Sequence, residues 1–110
     1  MQENKNKFTA NDCIAIGVKD IEKPKLFYRD IMGFRLVEES DKQLLFDTGL
    51  IKFYVDKEEE SHSPIPSFIV NDVELTKQNL IENGCKIVRE GKNWFWFKDP
   101  FGMVYDIIQK

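Results

Sequence analysis

Ile16-Gly17-Val18-Lys19-Asp20-Ile21-Glu22 and Phe68-Ile69-Val70-Asn71-Asp72-Val73-Glu74 are two versions of one segment, set 52 residues apart (Ile16 to Phe68). Each is a short apolar strand that stops at an aspartate. Such an aspartate can accept from the open N–H groups of a helix start. Self-similarity at a fixed offset in a chain this short means that one supersecondary unit occurs twice.

The match continues outward from this pair. A helical stretch follows in each copy, the first carrying Ile21, Phe27, Tyr28 and Ile31, the second Val73, Leu80 and Ile81. Gly33 and Gly84 stand where a helix C-terminus wants a positive φ. Pro24 lies near the first turn, where a missing N–H costs least. Three short strands are then expected in each half: 34–38, 43–46 and 50–55, then 85–89, 94–97 and 103–108. Asp47-Thr48-Gly49 and Asp99-Pro100-Phe101-Gly102 are the matching turns. The expected fold is α+β: two tandem β-α-β-β-β modules forming a curved mixed sheet around a cleft. The boundaries are a polar N-terminal arm at 1–12, module one at 13–56, an acidic linker at 57–64 and module two at 65–110.

The 110 residues suit one domain, able to bury roughly two-thirds of its unfolded surface. Net charge is −3, which argues against nucleic acid and against docking on anionic lipid. No apolar run approaches a membrane span, and residues 1–7 lack the apolar core of a signal peptide. Cys13 and Cys85 are far apart in sequence. The expectation is a cytoplasmic protein with reduced thiols.

Alternation assigns faces to the last two strands of each half. The odd positions Leu45, Ile51, Phe53, Val55, Phe95, Phe97, Met103, Tyr105 and Ile107 are all apolar or aromatic, and are expected against the helices. The even positions Leu44, Phe46, Lys52, Tyr54, Trp94, Trp96, Val104, Asp106 and Ile108 mix large rings with Lys and Asp. Such a mixture fits a ligand cleft better than a packed core or a solvated face.

Three segments together carry a family resemblance: residues 14–20, Phe27-Tyr28-Arg29-Asp30-Ile31-Met32-Gly33-Phe34, and Phe97-Lys98-Asp99-Pro100-Phe101-Gly102-Met103-Val104-Tyr105-Asp106. Over about residues 13–108 the chain resembles the vicinal oxygen chelate superfamily of glyoxalases, bleomycin-resistance proteins and extradiol dioxygenases. The resemblance implies a cavity often completed by a homodimer. It also implies four metal-ligand positions, which here fall on Cys13, Tyr54, Ile65 and Asp106. Only Asp106 is an ordinary ligand for a hard divalent ion, so no metal and no cofactor is expected.

Asp106 can act as a general base or as an acceptor for a ligand; equally, it can be salt-bridged to Lys52. Trp94 and Trp96, with Tyr54 and Phe46, can form an aromatic wall for a planar ligand, fill the space of an absent metal, or meet a second subunit. Cys13 and Cys85 read as small buried hydrophobes, and the sole histidine, His62, as a solvated linker residue. The expected function is therefore metal-free binding of a planar or aromatic small molecule by Phe46, Lys52, Tyr54, Trp94, Trp96 and Asp106. The alternative is a family lyase or dioxygenase, working with a metal or with Asp106 as base.

Overall fold

The computed structural model describes residues 7–110. Its strands are β1 (Thr9–Val18), β2 (Arg35–Glu39), β3 (Gln43–Asp47), β4 (Lys52–Lys57), β5 (His62–Val70), β6 (Lys86–Gly91), β7 (Trp94–Lys98) and β8 (Val104–Gln109). Its helices are α1 (Glu22–Leu26), which runs into a π-helical turn at Phe27–Ile31, and α2 (Val73–Glu82). This is the expected α+β pair of β-α-β-β-β modules. The chain divides into two compact units: Asp12–Ile65, and Pro66–Lys110 together with the described residues up to Asn11.

In the first unit the strands run in the order β2-β3-β4-β1, with β1 parallel to β4 and the other neighbours antiparallel. One face buries Ile16, Ile21, Leu44, Phe46 and Val55, packed by Tyr28, Phe34 and Phe53. The second unit repeats this as β5-β8-β7-β6, with β5 parallel to β8. Its core is Val70, Val73, Phe95, Phe97 and Ile107, with Phe8, Leu80 and Tyr105 against it.

The two helical segments differ by one residue. Ile21 to Gly33 is one step longer than Val73 to Gly84. The second helix starts regularly, with Asp72 Oδ1 accepting from Leu75 N at 3.1 Å. In the first, Asp20 Oδ1 accepts from Glu22 N at 3.1 Å and Ile21 is the N-cap. The extra residue is taken up by the wider π-turn, closed by Met32 N–H to Phe27 C=O at 3.1 Å. Gly33 and Gly84 both hold the expected positive φ, at 74° and 90°.

From there to the β3 turn the copies are related by 51 residues (Phe46 to Phe97). The β7–β8 connection is one residue longer than the β3–β4 connection, which restores 52 (Val55 to Ile107). This corrects the expected faces. Residues opposite one another in an antiparallel pair share a face, and Leu44 pairs with Val55 and Phe46 with Phe53. Leu44 and Phe46 therefore point to the helix side and are fully buried there. Phe46 is a core residue and not part of a ligand wall. In the second half, even pairs with even, as Trp96 with Asp106, so the expected faces hold there.

Two boundaries also move. β1 begins at Thr9 inside the expected arm, and Phe8 packs on the second core; residues 1–6 lie outside the described residues. β4 runs to Lys57 and β5 starts at His62, so the expected linker shrinks to residues 58–61. His62 is half-buried rather than solvated. Its ring occupies the space where a Cβ on Gly17 would stand, with Nε2 2.6 Å from that point.

Candidate functional site

The face of the second sheet turned away from its core is laid out in rows by the strand register. Ile87 and Phe97 are on the core side, so their neighbours Lys86, Lys98 and Trp96 point the other way. Lys86, Lys98 and Val104 form one row, and Arg89, Trp96, Asp106 and Ser67 the next. Gly91, Trp94, Ile108 and Ile69 form the third. The Trp94 indole lies across Gly91, in space that any Cβ there would occupy. Both tryptophans are half-buried.

The middle row is a connected polar chain. Asn11 Nδ2 donates to Ser67 Oγ at 3.1 Å, and Ser67 Oγ donates to Asp106 Oδ2 at 2.9 Å. The Trp96 indole N–H also donates to Asp106. The Arg89 guanidinium sits over the Trp96 ring, 4.2 Å from its centroid, a cation–π arrangement that also keys the ring in place. Ser67 is the one polar residue counted among the buried positions of the described chain. It needs both partners, because a buried hydroxyl without hydrogen bonds is costly.

Asp106 is half-buried. Loss of hydration pushes its carboxyl above the ordinary 3.8, while the bonds from Ser67 and Trp96 pull the other way. The net is a fixed, proton-avid carboxylate with acceptor capacity beyond its two donors.

The corresponding face of the first sheet is compensated within itself. Arg35 Nη2 lies 2.6 Å from Asp47 Oδ2, Gln43 Nε2 donates to Asp56 at 2.7 Å, and Lys52 Nζ lies 3.9 Å from Asp12 Oδ2. Lys52 thus pairs with Asp12 within the first unit, and Asp106 with Ser67 and Trp96 within the second. Tyr54 is half-buried and faces Leu45 and Ala15 in register. Cys13 stands beside Lys52 in register. Cys85 packs at the edge of the second core, and burial, with a smaller push from Asp99, raises its thiol above the ordinary value. That is the opposite of an activated nucleophile.

The donor chemistry at the four family metal positions does not fit a divalent ion. Ile65 offers no donor atom, and the Asp106 carboxylate is held by Ser67 and Trp96. Among the described residues no three of His, Cys, Asp and Glu cluster as a metal site would require. No helix among them is long and apolar enough to cross a membrane.

Three residues of the polar chain escape a reading of the sequence. Ser67 had a signal: it is the lone hydroxyl on the inner part of a strand whose other even-spaced neighbours, Ile65 and Ile69, are apolar. Arg89 was hidden by the bulge between Ile87 and Arg89, which turns it onto the tryptophan side. Asn11 lies in a polar segment with no periodicity and carried no signal.

Two sequential modules, each a four-stranded sheet with one helix, define the glyoxalase-like class of fold. The family profile of the Glyoxalase/Bleomycin resistance protein/Dioxygenase superfamily matches residues 11–107, and the chain belongs to that superfamily. No curated protein matches the sequence closely enough to count as a relative. Solved structures with the same fold include a variant of homoprotocatechuate 2,3-dioxygenase from B. fuscum (TM-score 0.71, 18% identity, 94% of this chain and 33% of that one). The Mn(II)-bound glyoxalase from Novosphingobium aromaticivorans is similar over 94% of this chain and 39% of its own (TM-score 0.67, 19% identity). Methylmalonyl-CoA epimerase from Mycobacterium tuberculosis is similar over 98% of this chain and 92% of its own (TM-score 0.65, 18% identity). The chain thus spans about a third of the dioxygenase and two fifths of the glyoxalase. At these identities the likeness is one of fold.

Proposed function

We propose that the chain is a metal-free small-molecule binding protein of the bleomycin-resistance kind. It holds a planar or aromatic ligand against Trp94 and Trp96 and accepts a hydrogen bond from it at Asp106. The observation that carries this reading is the polar chain Asn11–Ser67–Asp106–Trp96. A half-buried carboxylate costs hydration, and here two donors fix its direction beside two indole rings. Large rigid rings supply contact area at little rotamer cost, and an oriented acceptor supplies specificity. Tyr54 and Lys52, on the corresponding face of the first half, are proposed as contacts in their own right. A thermal-shift screen against planar metabolites tests the reading, because a ligand that binds the native state alone raises the melting temperature. Hits that survive in Trp96→Ala and Asp106→Asn together would refute it.

A second reading has one observation in its favour. The raised carboxyl of Asp106 moves toward the range in which a general base works best, as a metal-free enzyme would use. Asp106→Asn would then abolish turnover while leaving the urea transition in place. A metal-dependent lyase or dioxygenase is the remaining family option, and elemental analysis showing a stoichiometric divalent ion would restore it.

We also propose a homodimer, supported by large apolar side chains left exposed, among them Ile31, Leu50 and Phe101. A monomer mass by light scattering at micromolar concentration would remove it.

A further inference from the structure

The internal repeat makes the first half a reference for the second. At the 51-residue offset, the pair Arg35–Asp47 corresponds to Lys86–Lys98, and the pair Glu38–Leu45 to Arg89–Trp96. In the first half the former pair is a close ion pair, Arg35 Nη2 to Asp47 Oδ2 at 2.6 Å. At the same place in the second half two lysines stand directly opposite one another. Two acidic positions of the first ladder, Glu38 and Asp47, are therefore basic in the second.

Among the described residues no ion pair offsets the change, and Asp99, which follows Lys98, spends its Oδ1 on the turn amides of Phe101 and Met103. Like charges directly across a ladder destabilise it, and neither Lys86 nor Lys98 makes an ion pair with another described residue. Both are exposed. Glu90, the acid that β6 does carry, bonds Lys77 of α2 at 2.7 Å on the helix side. Asp106 is a row away and bound by Ser67 and Trp96. The chain as a whole has a net charge of −3, so this cationic row runs against its overall sign.

Successive rows on one face are roughly 7 Å apart. The face therefore passes from the lysine row, through Arg89, Trp96 and Asp106, to the apolar row of Trp94 and Ile108. We propose that the ligand of this face is a planar anion, with a carboxylate or phosphate group on the lysine row and its ring system over the tryptophans. This inference rests on the reading that the Trp94–Trp96 face binds a small planar molecule, and it names the chemical class.

Isothermal titration of the full chain with three matched probes decides it: 2-naphthoate, 2-naphthyl phosphate and the neutral 2-naphthamide. At low salt at least one of the two anions should bind about tenfold tighter than the amide. The preference should fade at high salt and disappear in the K86Q/K98Q double variant, whose urea midpoint should not fall because it loses a repulsion. Which anion binds better tells carboxylate from phosphate. An amide that binds as well as both anions, or an anion preference that survives in the double variant, would overturn the inference while leaving the binding face standing. Heat with none of the three probes would take down both.

Discussion

Ser67 Oγ lies 2.9 Å from Asp106 Oδ2, across the parallel β5–β8 pair that sets these two residues in register. The serine's one proton is committed to the carboxylate, and its oxygen also accepts from Asn11 at 3.1 Å. The carboxylate is thereby aimed, and its titration becomes a reporter of the face.

The pH dependence follows from the sign of the shift. Asp106 holds its proton more tightly folded than unfolded, because burial penalises the charge first of all. Between the ordinary value and the raised one, the native state binds more protons than the unfolded state, so stability falls as pH rises. The favourable contribution is complete below the ordinary carboxylate range and is lost as pH rises through the raised value. Urea unfolding of wild type and Asp106→Asn across the acid range should show the variant gaining on wild type as pH increases. Parallel curves would contradict the shift.

Ser67→Ala removes a donor to the carboxylate and an acceptor for Asn11. The loss should be about 1–3 kcal/mol, because a partly buried acid and an amide each lose a bond. The Asp106 carboxyl should also titrate higher still, read from the carboxyl carbon by NMR, because a bond favouring the charged form is gone.

Phe46 and Trp96 separate the core side from the open side. Phe46 is fully buried among Tyr28, Phe34 and Phe53, with ring centroids 6.0–6.4 Å away. Phe46→Ala should cost about 3–5 kcal/mol in urea unfolding. Trp96→Ala should cost clearly less in stability and remove ligand binding. The reverse order of stability losses would return Phe46 to the ligand face.

Gly17 leaves the room that the His62 ring fills. Gly17→Ala should cost about 1–3 kcal/mol by overpacking. Adding His62→Ala should recover part of that loss, so the double-mutant cycle should be strongly non-additive. Additive losses would place the ring elsewhere.

The π-turn gives an asymmetric deletion test. Removing Arg29, an exposed residue of that turn, brings the first helical segment to the count of the second. It should keep a cooperative urea transition and the native far-UV circular dichroism. Removing Asn79 from α2, which has no residue to spare, should not.

Much of the architecture was legible in the sequence because it is local. The aspartate at Asp72, the glycines at Gly33 and Gly84, and the alternation within single strands act over a few residues, and the repeat showed each of them twice. The second-half face was legible for the same reason: Trp94, Trp96 and Asp106 lie where alternation puts them. The face of β3 was not, although the unequal turns Asp47–Gly49 and Asp99–Gly102 were there to be counted. A one-residue difference in a turn shifts the pairing, and a shift of one residue turns every side chain of the strand to the other face.

By itself, then, the sequence determined that this chain is two β-α-β-β-β modules, the order of their helices and strands, and which second-half residues share an open face; the starts of β1 and β5 it did not give. The tertiary structure alone decided which partners those residues keep. Asp106 meets Ser67 and Trp96, Phe46 turns inward, and His62 lies against Gly17. These depend on which strands pair and in what register, and register is a relation between segments that no single segment encodes.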